Sequence, residues 1–136
     1  MKKAIFEHEI KILRDTFARL LRRNARTNLV KLIRKTHPAD LAVVFRYFSD
    51  EEQAQVFSIM VEDGQAMEFL VELDDTLIAN LLENESPERI ATVIQESSAN
   101  DQSFILSTLE DEQAQSVIEL LKTEEQEEIV DKVFQS

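Results

Sequence analysis

An internal repeat of about twelve residues runs through the chain, and that period admits few folds. Adjacent apolar pairs stand at Val44-Phe45, Val56-Phe57, Phe69-Leu70, Leu81-Leu82, Val93-Ile94, Ile105-Leu106, Val117-Ile118 and Ile129-Val130. Successive pairs begin 12, 13, 12, 12, 12, 12 and 12 residues apart. Two positions before the pairs stand Ala42, Ala54, Met67, Ala79, Ala91, Ser103, Gln115 and Glu127, the first six small or flexible. Four positions after the first member of a pair come Phe48, Met60, Leu73, Leu109, Leu121 and Val133, with Glu85 and Ser97 interrupting that column. Apolar spacings of 3 and 4 belong to helices, not strands. Twelve residues hold roughly nine of helix and three of connection, or about 13 Å of helix. A helix that short is unstable alone because nucleation is costly, so it must pack on its neighbours. The expected fold is therefore all-α: a superhelical solenoid of about eight short antiparallel helices in four hairpins.

Helix-start signals keep the same phase. Ser49-Asp-Glu-Glu52 is a capping box, and Thr123-Glu-Glu-Gln126 reads as another. Ser86-Pro87 places a cap before a Pro at the first helical position, where the missing N–H costs nothing. Ser98 to Asp101 and Asp74-Asp75 fit the same role. His37-Pro38 marks the break before the first repeat. The phrase Glu-Gln-Ala-Gln occurs at 52–55 and again at 112–115, as a duplication would leave it. One Gly and two Pro in 136 residues leave little turn chemistry for hairpins of strands.

The first 28 residues form a different segment, a longer basic helix ahead of a repeat domain at 29–136. Phe6, Ile10, Leu13, Phe17 and Leu20 are spaced 4, 3, 4 and 3, an a/d seam of about two heptads. Asn24 to Asn28 interrupts it, and Leu29 to Lys35 reads as one more short helix. Three readings of the basic helix stay open. It pairs with a second copy through the seam, it lies on an anionic membrane or nucleic acid, or it caps the repeats. For the isolated chain the expectation is a homodimer through the five seam residues.

Charge divides along the same line. Residues 1–37 hold eleven Lys/Arg against three Asp/Glu, and residues 38–136 hold four against twenty-four, a net of −20. An acidic body repels nucleic acid and attracts cations. Oxygen-rich clusters suited to a hard cation stand at Glu62-Asp63, Asp74-Asp75, Glu110 to Glu112 and Glu124 to Glu128, although acids also belong in the first turn of any helix. No nucleophile motif, zinc motif or phosphate-binding loop is present, and the two His, His8 and His37, are far apart, so the chain is not read as an enzyme. His37 is read as a cap or packing residue. The longest apolar run, Leu41 to Phe45, is far short of the roughly 20 residues that span a bilayer, and no secretory signal follows Lys2-Lys3. A cytoplasmic location is expected.

The stretch Leu29 to Phe45, with His37, Pro38, Asp40, Leu41 and Ala42 as its motif, resembles the opening of the cytosolic N-terminal domain of MgtE-type magnesium transporters. The likeness runs on through Phe48 to Ala54, Ala66 to Leu70, Leu73 to Asp75 and Ser86 to Arg89, and covers roughly residues 29–134. The resemblance implies a regulatory domain at the cytosolic face of the inner membrane. Mg²⁺ would bridge its acidic face to a neighbouring pair of CBS domains and hold the membrane pore closed. By position it assigns Mg²⁺ contact to Glu68 and Asp101, and partner contact to Asp40, Asp74 and Asp75. Asn100 and Phe104 depart from the family's acidic pattern in the later repeat. The alternative is a helical-repeat adaptor that binds protein without sensing metal, as in the related FliG modules.

Overall fold

The computed structural model describes residues 2–135, and their side chains over 7–123. Every regular element among them is helical, as the spacing requires. By backbone proximity the chain forms two compact units, residues 1–73 and 74–136.

The first unit holds α1 (Lys2–Arg22), α2 (Arg26–Lys35), α3 (Pro38–Phe45), α4 (Asp50–Glu62) and α5 (Ala66–Leu70). Here α1 packs on α2 and α3, α2 on α4, and α3 on α5. Packing on the next helix but one is what a stack of short helical repeats demands. The seam of α1 turns inward: Phe17 is 0% and Ile10 9% exposed, while Leu13 and Leu20 are half-buried. The Phe17 ring meets Phe48 edge-on at 5.4 Å, Phe48 lies 5.7 Å from Phe45, and Phe45 meets Phe69 of α5 at 4.8 Å. Such pairs add ~0.5–1.5 kcal/mol beyond the area they bury. The cover that the seam needs is thus supplied by the same chain at Ile10 and Phe17; Phe6 lies outside the described side chains.

Two helix ends in this unit share one device. After α1, Ala25 N–H donates to Leu20 O and Asn24 N–H to Leu21 O, with Asn24 at φ 52°. After α4, Gln65 N–H donates to Met60 O and Gly64 N–H to Val61 O, with Gly64 at φ 77°. Both are Schellman closures, and they place the chain's sole Gly and an Asn where a left-handed residue is required. The break expected over Asn24 to Asn28 is therefore tight, and α2 begins earlier than Leu29.

The second unit holds α6 (Asp75–Leu82), α7 (Pro87–Ile94), α8 (Ala99–Ser107) and α9 (Asp111–Gln135). Here α7 packs on both α8 and α9. The core is aliphatic: Ile78, Leu82, Ile90, Ala91, Ile94, Ile105 and Val117. In the first unit both members of each apolar pair are buried. From Leu81 to Ile118 only one member of each described pair is, so the same repeat buries less per helix here.

The caps fall where the repeat phase puts them. Ser49 Oγ accepts from Glu52 N–H while the Glu52 carboxylate accepts from Ser49 N–H. Ser86 Oγ accepts from Arg89 N–H, Ser98 Oγ from Asp101 N–H, and the Asp74 carboxylate from Leu77 N–H. His37 Nδ1 accepts from Ala39 N–H at 3.1 Å, so His37 is a cap. Thr123 is the correction. No helix starts there; α9 runs through it, and the Thr123 hydroxyl donates to Glu119 O one turn back. The last two repeats are fused because nothing between Leu120 and Glu125 breaks a helix, and a Thr can satisfy its hydroxyl on the turn before it. Among the described residues seven repeat helices, α3 to α9, stand where about eight were expected.

Candidate acidic docking surface

Five carboxylates carry the family assignment, and the fold gives each the same kind of position. Asp40 is the third residue of α3, Glu68 the third of α5 and Asp101 the third of α8. Asp74 caps α6 and Asp75 is its first residue. A carboxylate in the first turn faces unpaired N–H groups and the positive end of the helix dipole, worth ~0.3–1 kcal/mol. The repeat therefore brings an acid to the start of helix after helix. Glu68, Asp74, Asp75 and Asp101 are exposed, and Asp40 is half-buried. Asp74 already holds the Leu77 amide at 2.9 Å, so part of its carboxylate is committed to the helix. Asp40 and Glu68 belong to the first unit, and Asp74, Asp75 and Asp101 to the second.

The acid pair Glu62-Asp63, one of the oxygen clusters, faces arginines in the structure. Guanidinium groups already occupy it. Arg26 pairs with Glu62, and Arg34 forks onto Asp63, with Nε 3.0 Å from Oδ2 and Nη2 2.6 Å from Oδ1. Gln65 Nε2 donates to the same Asp63 carboxylate. The Asp63 side chain is only 13% exposed. The Arg34 hydrogen bonds hold its carboxyl below the usual range, with Gln65 and the charges of Arg34 and Arg26 adding to the effect and desolvation opposing it. The same pairing raises Arg34 further. These bonds tie α2 to the end of α4, across 29 and 36 residues of sequence, which no local spacing rule reports.

Glu110 and Glu112 line a cleft of about 500 Å³ in the second unit, with Glu83, Asn84, Gln113 and Ser116. Among the described residues no basic side chain lines it. The carboxylates line the cleft without converging: among the described residues no three Asp, Glu, His or Cys groups come together as a metal site would need. Glu124 to Glu128 lies outside the described side chains.

Sequence reasoning missed the roles of Gln53, Gln102 and Gln113, whose amides reach main-chain carbonyls of other helices. The repeated Glu-Gln-Ala-Gln was the available signal for two of them, but it was read only as a sign of duplication.

Among the described residues no helix is long and apolar enough to cross a membrane. Comparison with curated proteins and with solved structures gives no match. The profile of the MgtE intracellular N domain matches residues 36–132, nearly three quarters of the chain. Its span takes in Asp40, Glu68, Asp74, Asp75 and Asp101. It begins one residue before the His37-Pro38 break and takes in all but the end of α9. The chain belongs to the MgtE intracellular N domain family.

Proposed function

We propose that this chain is the regulatory N domain of a magnesium transporter, presenting single carboxylates on its surface for Mg²⁺-dependent docking onto a CBS-domain pair. The observation that carries the reading is the family match over 36–132, joined to the exposed first-turn acids Glu68 and Asp101 that fall within it. Residues 38–136 carry a net charge of −20. Such a surface repels a second acidic surface until cations lie between them. Bound there, Mg²⁺ supplies neutralising charge, and it keeps several waters while taking one or two carboxylates. The described residues do not build a multidentate site of their own. Their role in this reading is half of each site: Glu68 in the first unit and Asp101 in the second each present oxygens, and the partner completes each shell. Docking then follows the difference in ion uptake between the docked and free states.

The test is docking of this chain to the CBS-domain pair of the same transporter, measured with Mg²⁺ and with a chelator. Docking should require Mg²⁺, and Glu68→Ala should weaken it more than Asp75→Ala. Docking that is equally strong in chelator would reject metal sensing. It would support the second reading, a protein-binding helical repeat without a metal. That reading is favoured by the neutralisation of Glu62 and Asp63 by Arg26 and Arg34 and by the lack of a described carboxylate cluster.

A further inference from the structure

The basic segment is the part of the molecule that the magnesium reading leaves unused. The fold spends its apolar seam inward, on Ile10 and Phe17 of α1 and on Leu29 and Ile33 of α2. What remains outward is mostly cationic: Lys11, Arg19, Arg22, Arg23, Lys31 and Lys35 are all exposed, against the exposed acids Glu7, Glu9 and Asp15. Lys11, Arg19 and Arg22 fall on the side of α1 opposite its seam, by the 100° step of a helix, with Asp15 the sole acid among them. Among the described residues, the cations of these two helices that enter ion pairs are Arg26 and Arg34. The six outward cations therefore keep their charge for something else.

Two further side chains on the same unit are out of place on a purely solvated face. Ile12 is 54% exposed and shares the outward side of α1 with Arg19, seven residues on. Tyr47 is 59% exposed, and the Arg14 guanidinium lies over its ring at 5.7 Å. An aliphatic chain and an aromatic ring among cations suit the boundary between lipid headgroups and acyl chains. The charge also differs between the units. The first unit has a net charge of +1, with its cations gathered on α1 and α2, and the second has −13. An anionic plane attracts the cations of α1 and α2.

We propose that the outward face of α1 and α2 is a docking surface for an anionic phospholipid bilayer, holding this domain against the membrane by charge, with Ile12 as a minor apolar contact. The inference rests on charge and exposure in the first unit and stands whether or not the domain senses Mg²⁺. Ile10 and Phe17 of the seam are already buried, so α1 does not insert, and the contact is peripheral, reversible and salt-sensitive.

The test is flotation of the 136-residue chain with phosphatidylcholine vesicles, with and without about 30 mol% phosphatidylglycerol. The chain should float with the anionic vesicles and not with the neutral ones. Raising monovalent salt from about 0.05 to about 0.5 M should release it. The triple variant Arg19→Glu, Arg22→Glu, Lys31→Glu should bind about tenfold more weakly or worse, with its helical circular dichroism unchanged. If that variant fails to fold, Lys31→Gln with Lys35→Gln should weaken flotation in the same direction. No preference for anionic vesicles, or equal flotation of the reversed or neutralised variants, overturns the proposal. Tighter binding to duplex DNA at the same phosphate concentration also overturns it, and assigns the face to nucleic acid.

Discussion

The side-chain amide of Gln113, the third residue of α9, donates to the carbonyl oxygen of Leu82, the last residue of α6, at 2.8 Å. It reaches Glu85 O as well, at 3.3 Å. Gln53 of α4 does the same to Phe45 O at the end of α3, and Gln102 of α8 to Ile94 O at the end of α7, both at 3.0 Å. Each receiving helix is eight residues long. The last four carbonyls of any helix lack an internal partner, so in these helices half the acceptors are at stake. A glutamine in the first turn of one helix closes the end of another, and the repeat carries the device along with its caps.

Gln102→Ala should therefore destabilise the chain although Gln102 is only half-buried. A lost hydrogen bond of this kind costs ~0.5–1.5 kcal/mol, and the carbonyls of Gln95 and Ser97 also lose a neighbour at 3.2 and 3.3 Å. Gln102→Glu should be worse than Ala at neutral pH, because a carboxylate brings no donor to a cluster of carbonyl oxygens. Urea unfolding of the three proteins checks the order.

The reach of the sequence can be seen in these residues. Cap positions were legible, because Ser49, Asp74, Ser86 and Ser98 act on backbone three residues away and local spacing reports local bonds. The apolar pairs were legible too, since burial follows period. Gln113 acts across 31 residues and Arg34 across 29, and neither reach leaves a mark in a short window. The same limit bears on the acids. The family resemblance picked out Glu68 and Asp101, which the fold places in first turns, but only the fold shows that Glu62 and Asp63 are already paired with arginines.

The Arg34–Asp63 contact makes an acid-side prediction. The Asp63 carboxyl is held below its ordinary value by Arg34 first and by Gln65. A carboxylate with a lowered folded pKa contributes stability that is present above its unfolded pKa, near 3.9, and lost as pH falls through the folded value. The tie between α2 and α4 should weaken only below the usual carboxylate range. Asp63→Asn should lower stability at neutral pH and flatten the acid limb of the profile. Thermal unfolding from pH 7 down to about 2 reads both. A variant whose acid limb superposes on that of the parent would show that Asp63 contributes nothing to it.

Within the α1 seam, Phe17 is fully buried between helices of its own chain, so its loss should read out as stability. Phe17→Ala should cost ~3–5 kcal/mol, as for other large core truncations. Ile12→Ser, on the exposed side, should stay within about 0.5 kcal/mol. Light scattering at several concentrations separates this from pairing of two copies through the seam. If Leu13→Glu lowers the melting temperature without changing the mass, the seam serves its own chain. A mass that halves in that variant would instead make the seam a dimer contact.

The fusion of the last two repeats has a sharp test at Glu124. Were a helix to start with Thr123 as its cap, Glu124 would be the first helical residue, where Pro is welcome because no N–H is needed. In the continuous α9, residue 124 lies in the interior, and its N–H belongs to the bond with the carbonyl of Leu120. Pro there removes that bond and drives its ring against the same carbonyl, at about 3 kcal/mol or more. Glu124→Pro should therefore reduce helical circular dichroism and open amides on both sides of position 124 to exchange. The hydroxyl bond from Thr123 to Glu119 O points to the same outcome, since a capping Thr would turn its oxygen forward to accept, not back to donate. A Glu124→Pro chain with unchanged dichroism and exchange would place a helix start at Thr123 and restore the eighth repeat.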